Sequence, residues 1–260
     1  MKDKAFGHLY RLVQFNSIIP PQSEDEDSEV MAFSKKKLVM RVILGGLVTL
    51  SGLAITLLIR KQLHFHQTSD GFMANDSALS VGCGVLFCFL IHCVPFFRKI
   101  LLKPYIWGHE ATHALFVFLF YGKVSEFKTS VDGGYIVANR DNIFIALAPY
   151  IFPFWVLMLA ALFVLLGCIV NLTSALLYFY VLFGIAWSFN LIWTFLMIPL
   201  GQSDLKNNGT LFSLTLIYTS NALILSAILE WVSPKTDFEL WAFEVINAHM
   251  DIFRVFTMLY

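Results

Sequence analysis

The chain alternates long apolar runs with short polar breaks, and six of the runs are long enough to cross a bilayer. A transmembrane helix needs about 20 mainly apolar residues. The runs that meet this length are 38–59, 78–97, 100–121, 143–170, 174–200 and 211–232. The fourth carries Pro149 and Pro153 near its start, which predicts a kinked or broken span. The pattern therefore predicts an all-α polytopic membrane protein with about six transmembrane helices.

Three segments outside these runs have other patterns. Residues 1–37 are mixed polar and include an acidic run, which predicts an extramembrane tail before a transmembrane domain at 38–232. In residues 123–142, apolar positions are scattered around Asp132-Gly133-Gly134, which predicts a β-hairpin at the membrane surface. Residues 233–260 mix aromatic and charged residues at helical spacing, which predicts an amphipathic helix along the interface.

Composition agrees with a membrane protein. The chain is 58% hydrophobic and 14% charged, with a mean hydropathy of +0.70, whereas a soluble domain is about a quarter charged. A formal net charge of zero argues against nucleic acid as a partner. The lysines at 35–37, before the first run, favour a cytoplasmic N-terminus. The four cysteines all lie in apolar runs and are interpreted as small core residues.

Candidate chemistry lies in the third run, which contains His109-Glu110-Ala111-Thr112-His113. Two histidines four residues apart share one face of a helix and can bind one zinc ion. The intervening Glu110 can then act as a general base toward water at the metal. Ionisable residues within a membrane helix are costly and usually mark function. The alternative is a hydrogen-bonded polar cluster that packs helices together.

A catalytic zinc needs a third protein ligand, which the helix does not supply. Asp204 is the first candidate, because it lies in a polar break after Pro199 where the chain can turn back toward the histidines. Its alternative role is an ordinary turn or helix N-cap residue. Asp132 in the predicted hairpin is the second candidate, although the two glycines beside it favour a turn.

These features together resemble the site-2 protease family of intramembrane zinc metalloproteases. The resemblance covers about residues 100–211 and rests on five elements: the segment from Gly108 to Ala114, Gly122, the glycine-containing hairpin, Ala148-Pro149-Tyr150, and the late Asp-containing break. In the family, glycine directly follows the aspartate ligand. Here Gly209 comes five residues after Asp204, so the chain resembles a divergent member.

The resemblance implies a multi-pass zinc endopeptidase. His109, His113 and Asp204 would hold Zn²⁺, and Glu110 would be the catalytic base. The substrate would be a locally unwound transmembrane segment of another protein, bound as an added strand along the hairpin edge. Asn190 or Asn142 would stabilise the oxyanion, with helix packing as the alternative role for Asn190.

Two other classes of protein share parts of the pattern. Membrane-anchored zinc proteases use a glutamate as third ligand, but Glu126, Glu230, Glu239 and Glu244 stand in no matching motif. A non-catalytic protein, such as an inactive protease relative, a scaffold or a transporter, could carry the same polar cluster. The near absence of other charges within the runs counts against transport.

Overall fold

The structure is a computed structural model that describes residues 27–68, 75–130, 133–200, 202–233 and 236–258. Side chains of the first range are described from residue 39 to 63. The extramembrane tail is predicted at residues 1–37. Residues 1–26 lie outside the described residues, and from Asp27 onward the backbone is helical. The elements are α1 (Asp27–Thr68), α2 (Asp76–Cys93), α3 (Pro95–Leu119), β1 (Val124–Ser130), β2 (Gly133–Ala138), α4 (Ile143–Ile151), α5 (Phe154–Gly167), α6 (Leu176–Met197), α7 (Ser203–Asn207), α8 (Thr210–Trp231) and α9 (Phe238–Met258).

The described residues form two compact units. The first comprises 76–206 and contains α2 to α6, the hairpin and most of α7; the second comprises 27–75 with 207–258 and contains α1, α8 and α9. Short 3₁₀ turns at Thr173–Ala175 and Ile198–Leu200 flank α6.

In the first unit, α2 and α6 cross at two glycines. A Cβ on Gly84 would overlap the carbonyl oxygen of Val181, and a Cβ on Gly184 would overlap that of Val81. Small residues at a crossing let two helix backbones approach closely, as is common in membrane helices. This crossing supports the core of the unit, where Tyr105 of α3 stacks on Trp193 of α6 with ring centroids 5.0 Å apart.

The predicted β-hairpin is confirmed. β1 and β2 pair antiparallel, with Lys128 opposite Tyr135 and Ser130 opposite Gly133, and the register shifts between Val124 and Glu126. Both strands contact α3. The hairpin therefore lies against the helix that carries the two candidate histidines.

The predicted helical class and the presence of long apolar helices are confirmed, but the predicted count of six spans is not. By length and composition, four helices could cross a membrane, at Val39–Leu63, Asp76–Cys93, Thr173–Leu200 and Thr210–Trp231. The fifth candidate is the pair α4 and α5, which are bent by 73° at the break before Phe154 and correspond to the span predicted at 143–170. The bend agrees with the predicted effect of Pro149 and Pro153.

The run predicted as the third span forms α3, which is not among these candidates. Three basic residues in its first half, together with His109, Glu110 and His113, make it too polar for an ordinary lipid-facing helix. The same side chains that suggest chemistry therefore account for the lower count.

Candidate metal centre

α3 carries the two histidines and the glutamate at the centre of the first unit. His109, Glu110 and His113 are all buried, and the two imidazole rings lie with centroids 4.9 Å apart, edge to face. The four-residue spacing places them one helical turn apart. Both Nε2 atoms point toward the same place, which Asp204 also reaches.

Asp204 comes to the histidines from α7, the short helix that follows α6 and the 3₁₀ turn at Ile198–Leu200. Its Oδ2 lies 3.8 Å from Nε2 of His109 and 3.6 Å from Nε2 of His113. The polar break after Pro199 thus returns the chain to α3, as predicted from its sequence. The alternative candidate, Asp132, lies outside the described residues.

The three side chains could hold a metal ion. One ligand atom from each of His109, His113 and Asp204 lies within 4.8 Å of the others. Tetrahedral zinc with bonds of about 2.0–2.1 Å requires ligand atoms about 3.4 Å apart. The observed separations of 3.6 and 3.8 Å exceed that value by only a few tenths of an ångström. Two imidazoles and one carboxylate also form a donor set that zinc accepts.

Each of the three residues is held by a second contact. Nδ1 of His113 donates to the carbonyl oxygen of Ile145 at 2.8 Å, which fixes the ring with Nε2 on the side that faces Asp204. The hydroxyl of Tyr105 lies 3.2 Å from Nδ1 of His109. Tyr150 donates to Oδ2 of Asp204 at 3.2 Å. Such outer contacts orient metal ligands and raise their affinity.

α4 supplies two of these contacts because it is buried along most of its length. Its residues 145–150 are all buried. The helix begins at Asn142, whose side-chain oxygen accepts a hydrogen bond from the Ile145 amide at 2.9 Å. Asn142, one of two predicted oxyanion residues, therefore acts as an N-cap. The other, Asn190, lines a small cavity together with His109 and Thr112.

Glu110 lies under the hairpin. Its side chain is 2% exposed, and within the described part of the chain its Oε1 has no hydrogen-bond partner. A Cβ on Gly134 of β2 would lie 2.7 Å from Cγ and 3.0 Å from Oε1 of Glu110. From the sequence, Gly134 is predicted only as a turn residue, and its identity as glycine is the one signal for any other role. The structure instead shows that its missing side chain makes room for Glu110.

Charge interactions around Asp204 favour its ionised form. Burial alone would raise the pKa of Asp204, but the two nearby imidazoles outweigh burial and hold the pKa below its ordinary value. At Asp141, burial first and the charge of Asp204 second raise the pKa. Asp204 is thus held as the carboxylate, the form that binds metals.

Three of the four glutamates considered as alternative third ligands have other partners, and Glu239 is exposed. Glu126 accepts a hydrogen bond from Tyr135 at 2.6 Å across the hairpin, and Glu244 pairs with Lys61 at 2.7 Å. Glu230 accepts from the backbone amide of Asp237 at 2.8 Å. None of them belongs to the cluster of possible metal ligands among the described residues.

Comparisons of the chain with protein-family models, with curated proteins and with solved structures found no significant match. The arguments for function therefore rest on the site itself.

Proposed function

We propose that this protein is an intramembrane zinc metalloprotease that hydrolyses a peptide bond in or near a transmembrane segment of a substrate protein. One observation carries the proposal: His109, His113 and Asp204 direct three ligand atoms toward one place, next to a buried glutamate whose Oε1 has no hydrogen-bond partner among the described residues. The resemblance to the site-2 protease family in the sequence supports the same reading.

The proposed mechanism assigns one task to each residue. When bound, zinc would supply a Lewis acid that polarises water and a peptide carbonyl. His109, His113 and Asp204 would hold it and leave one position open. Glu110 would take a proton from the attacking water and return it to the leaving amine. Tyr150 and Ile145 would keep Asp204 and His113 oriented through the hydrogen bonds described above.

The hairpin would bind the substrate. A two-stranded sheet has two unpaired edges, and an unwound peptide can add to such an edge through backbone hydrogen bonds. β2 lies directly over Glu110 at Gly134. A peptide added to the hairpin would therefore run close to the proposed base.

The first test is the zinc content of the detergent-purified protein and its cleavage of a candidate membrane substrate. We expect about one zinc per chain in the wild type and in Glu110→Gln, which removes the base but no ligand. His109→Ala and Asp204→Ala should both lose zinc, and all three variants should lose cleavage.

The outcomes separate the alternatives. Zinc retained in Asp204→Ala would remove Asp204 as a ligand and direct attention to Asp132. A wild type without zinc would contradict the protease proposal and leave a polar cluster that packs helices. Zinc bound normally without cleavage of any substrate would favour an inactive relative.

A further inference from the structure

In the second unit, α1 and α8 run parallel to each other. Thr219 of α8 donates to the carbonyl oxygen of Val48 at 3.0 Å, and Ser226 donates to Oε1 of Gln62 at 2.9 Å. As the residue number rises along α1, the residue number of its partner in α8 also rises, so the two helices point in the same direction. Both helices contain candidate membrane spans, Val39–Leu63 and Thr210–Trp231. The end of α8 therefore lies at the same side of the membrane as the end of the span in α1.

From that side, α9 returns along α1 in the opposite direction. Near its start, Glu244 pairs with Lys61 at 2.7 Å. Further along, Nε2 of His249 lies 2.8 Å from Oγ of Ser51. As the residue number rises in α9, the number of its partner in α1 falls. Ser51 is the middle residue of the span Val39–Leu63, so His249 reaches half-way across.

α9 has its polar contacts on the side that faces the unit and large apolar side chains on the outward side, where the charged Asp251 and Arg254 are also exposed. Its polar contacts face the unit: Trp241 donates to Ser226 at 3.0 Å, and Glu244 and His249 contact α1 as described. The large apolar side chains face outward, with exposed fractions of 60% for Phe243, 60% for Ile246 and 64% for Phe253. A helix at a water-facing surface would have the reverse arrangement.

We propose that α9 crosses the hydrocarbon region antiparallel to α1, with its outward side in contact with lipid acyl chains. The sequence predicts an interfacial helix here because four charged residues lie within α9, and α9 is not among the helices that meet the length and composition of a span. The length fits a crossing, since 21 residues of helix extend about 31 Å, close to the thickness of the hydrocarbon core.

Two of the three exposed charges of α9 pair with each other, and the third, Glu239, lies in the first turn at the end of the helix. Arg254 donates to Asp251 at 3.2 Å, three residues apart on the same helix. Pairing reduces the net charge exposed to lipid, and a long arginine side chain can extend toward the nearer headgroups. The remaining inward charge, Glu244, is paired with Lys61.

The proposal places the two ends of α9 on opposite sides of the membrane, which two matched cysteine variants can test. Thr236→Cys and Thr257→Cys are conservative changes at exposed positions just before α9 and in its last turn. They would be made in the full chain with the native cysteines at 83, 88, 93 and 168 replaced by serine. A membrane-impermeant maleimide applied to intact cells should label one variant, and the other should react only after permeabilisation.

Reaction of both variants from the same side would overturn the proposal and support the interfacial helix. A second pair, Glu239→Cys and Met258→Cys, covers the case in which either threonine variant fails to accumulate, since both residues are exposed. The occupant of the outward side is tested separately with a photoreactive phenylalanine analogue at Met250, which is 47% exposed. Cross-linking to lipid is expected, whereas a cross-linked dimer would assign this side to a second copy.

Discussion

Both units bury polar side chains among apolar helices, but they do so in different ways. In the second unit, Gln62, Ser226 and Trp241 complete one another's hydrogen bonds: Ser226 donates to Gln62 at 2.9 Å and accepts from Trp241 at 3.0 Å. In the first unit, the carboxyl oxygen Oε1 of Glu110 is buried without such a partner among the described residues. Polar side chains that hydrogen-bond to one another hold neighbouring helices together. A buried carboxyl group without a hydrogen-bond partner lowers stability, so it is expected mainly where function requires it.

The base and the ligands are therefore expected to be separable by mutation in the first unit. Glu110→Gln keeps the size of the side chain but removes its basicity. We expect kcat for a membrane substrate to fall by about 100- to 10,000-fold, the usual contribution of a general base. Zinc measured by atomic absorption should stay at the wild-type level. Loss of zinc together with activity would mean that Glu110 is a ligand rather than the base.

Gly134→Ala tests whether the position of Glu110 depends on the hairpin. The new Cβ would meet Cγ of Glu110 at 2.7 Å and Cγ2 of Ile106 at 3.0 Å, so one of them must move. Because a displacement of about 1 Å at a reacting group can lower a rate 100-fold, we expect a loss of roughly that size in kcat.

The control for this variant is Gly82→Ala, since a Cβ at Gly82 meets no atom within 4 Å. It should leave both kcat and zinc content unchanged. Wild-type activity in Gly134→Ala would contradict a role for the hairpin in positioning the Glu110 side chain. It would mean either that the hairpin moves away from Glu110 during the reaction or that other contacts position Glu110.

The third prediction concerns the contact that holds Asp204. Tyr150→Phe removes the hydroxyl that donates to Oδ2 of Asp204 at 3.2 Å. Loss of such an outer contact typically weakens metal binding by about 10- to 100-fold. Competition with a zinc chelator would measure the change. Tyr218→Phe, which removes a hydroxyl bonded to Thr56 at 2.6 Å in the second unit, should leave zinc affinity unchanged.

Equal zinc affinity in Tyr150→Phe and the wild type would contradict a role for Tyr150 in holding Asp204. Equal weakening in both tyrosine variants would instead indicate a general loss of stability.

The sequence predicts the local parts of this site well. His109, Glu110 and His113 follow from helical spacing, and the polar break after Pro199 suggests how Asp204 can approach them. Gly134 and Tyr150 were not assigned to the site, because their roles depend on contacts between elements that no spacing rule describes. The predicted count of six spans is not confirmed, for a related reason. Apolar length alone does not weigh the basic residues, histidines and glutamate that make α3 too polar to count among the candidate spans.

The smallest expected effect lies in the second unit, at Ser226. Ser226→Ala leaves Oε1 of Gln62 without its donor and Nε1 of Trp241 without its acceptor. Hydrogen bonds between membrane helices contribute about 0.6 kcal/mol on average and at most about 1.7 kcal/mol, so we expect the free energy of unfolding to fall by about 1 kcal/mol. Titration with SDS, followed by circular dichroism, would measure it.

Thr215→Ala is the matched control for Ser226→Ala, because Thr215 lies on the same helix and its hydroxyl donates within that helix, to the carbonyl oxygen of Leu211 at 2.9 Å. It should change the free energy of unfolding less than Ser226→Ala does. Both variants should keep wild-type zinc content, since neither touches the metal centre. A loss of zinc in Ser226→Ala would contradict the contrast between a polar network that joins helices and a polar cluster that binds a metal.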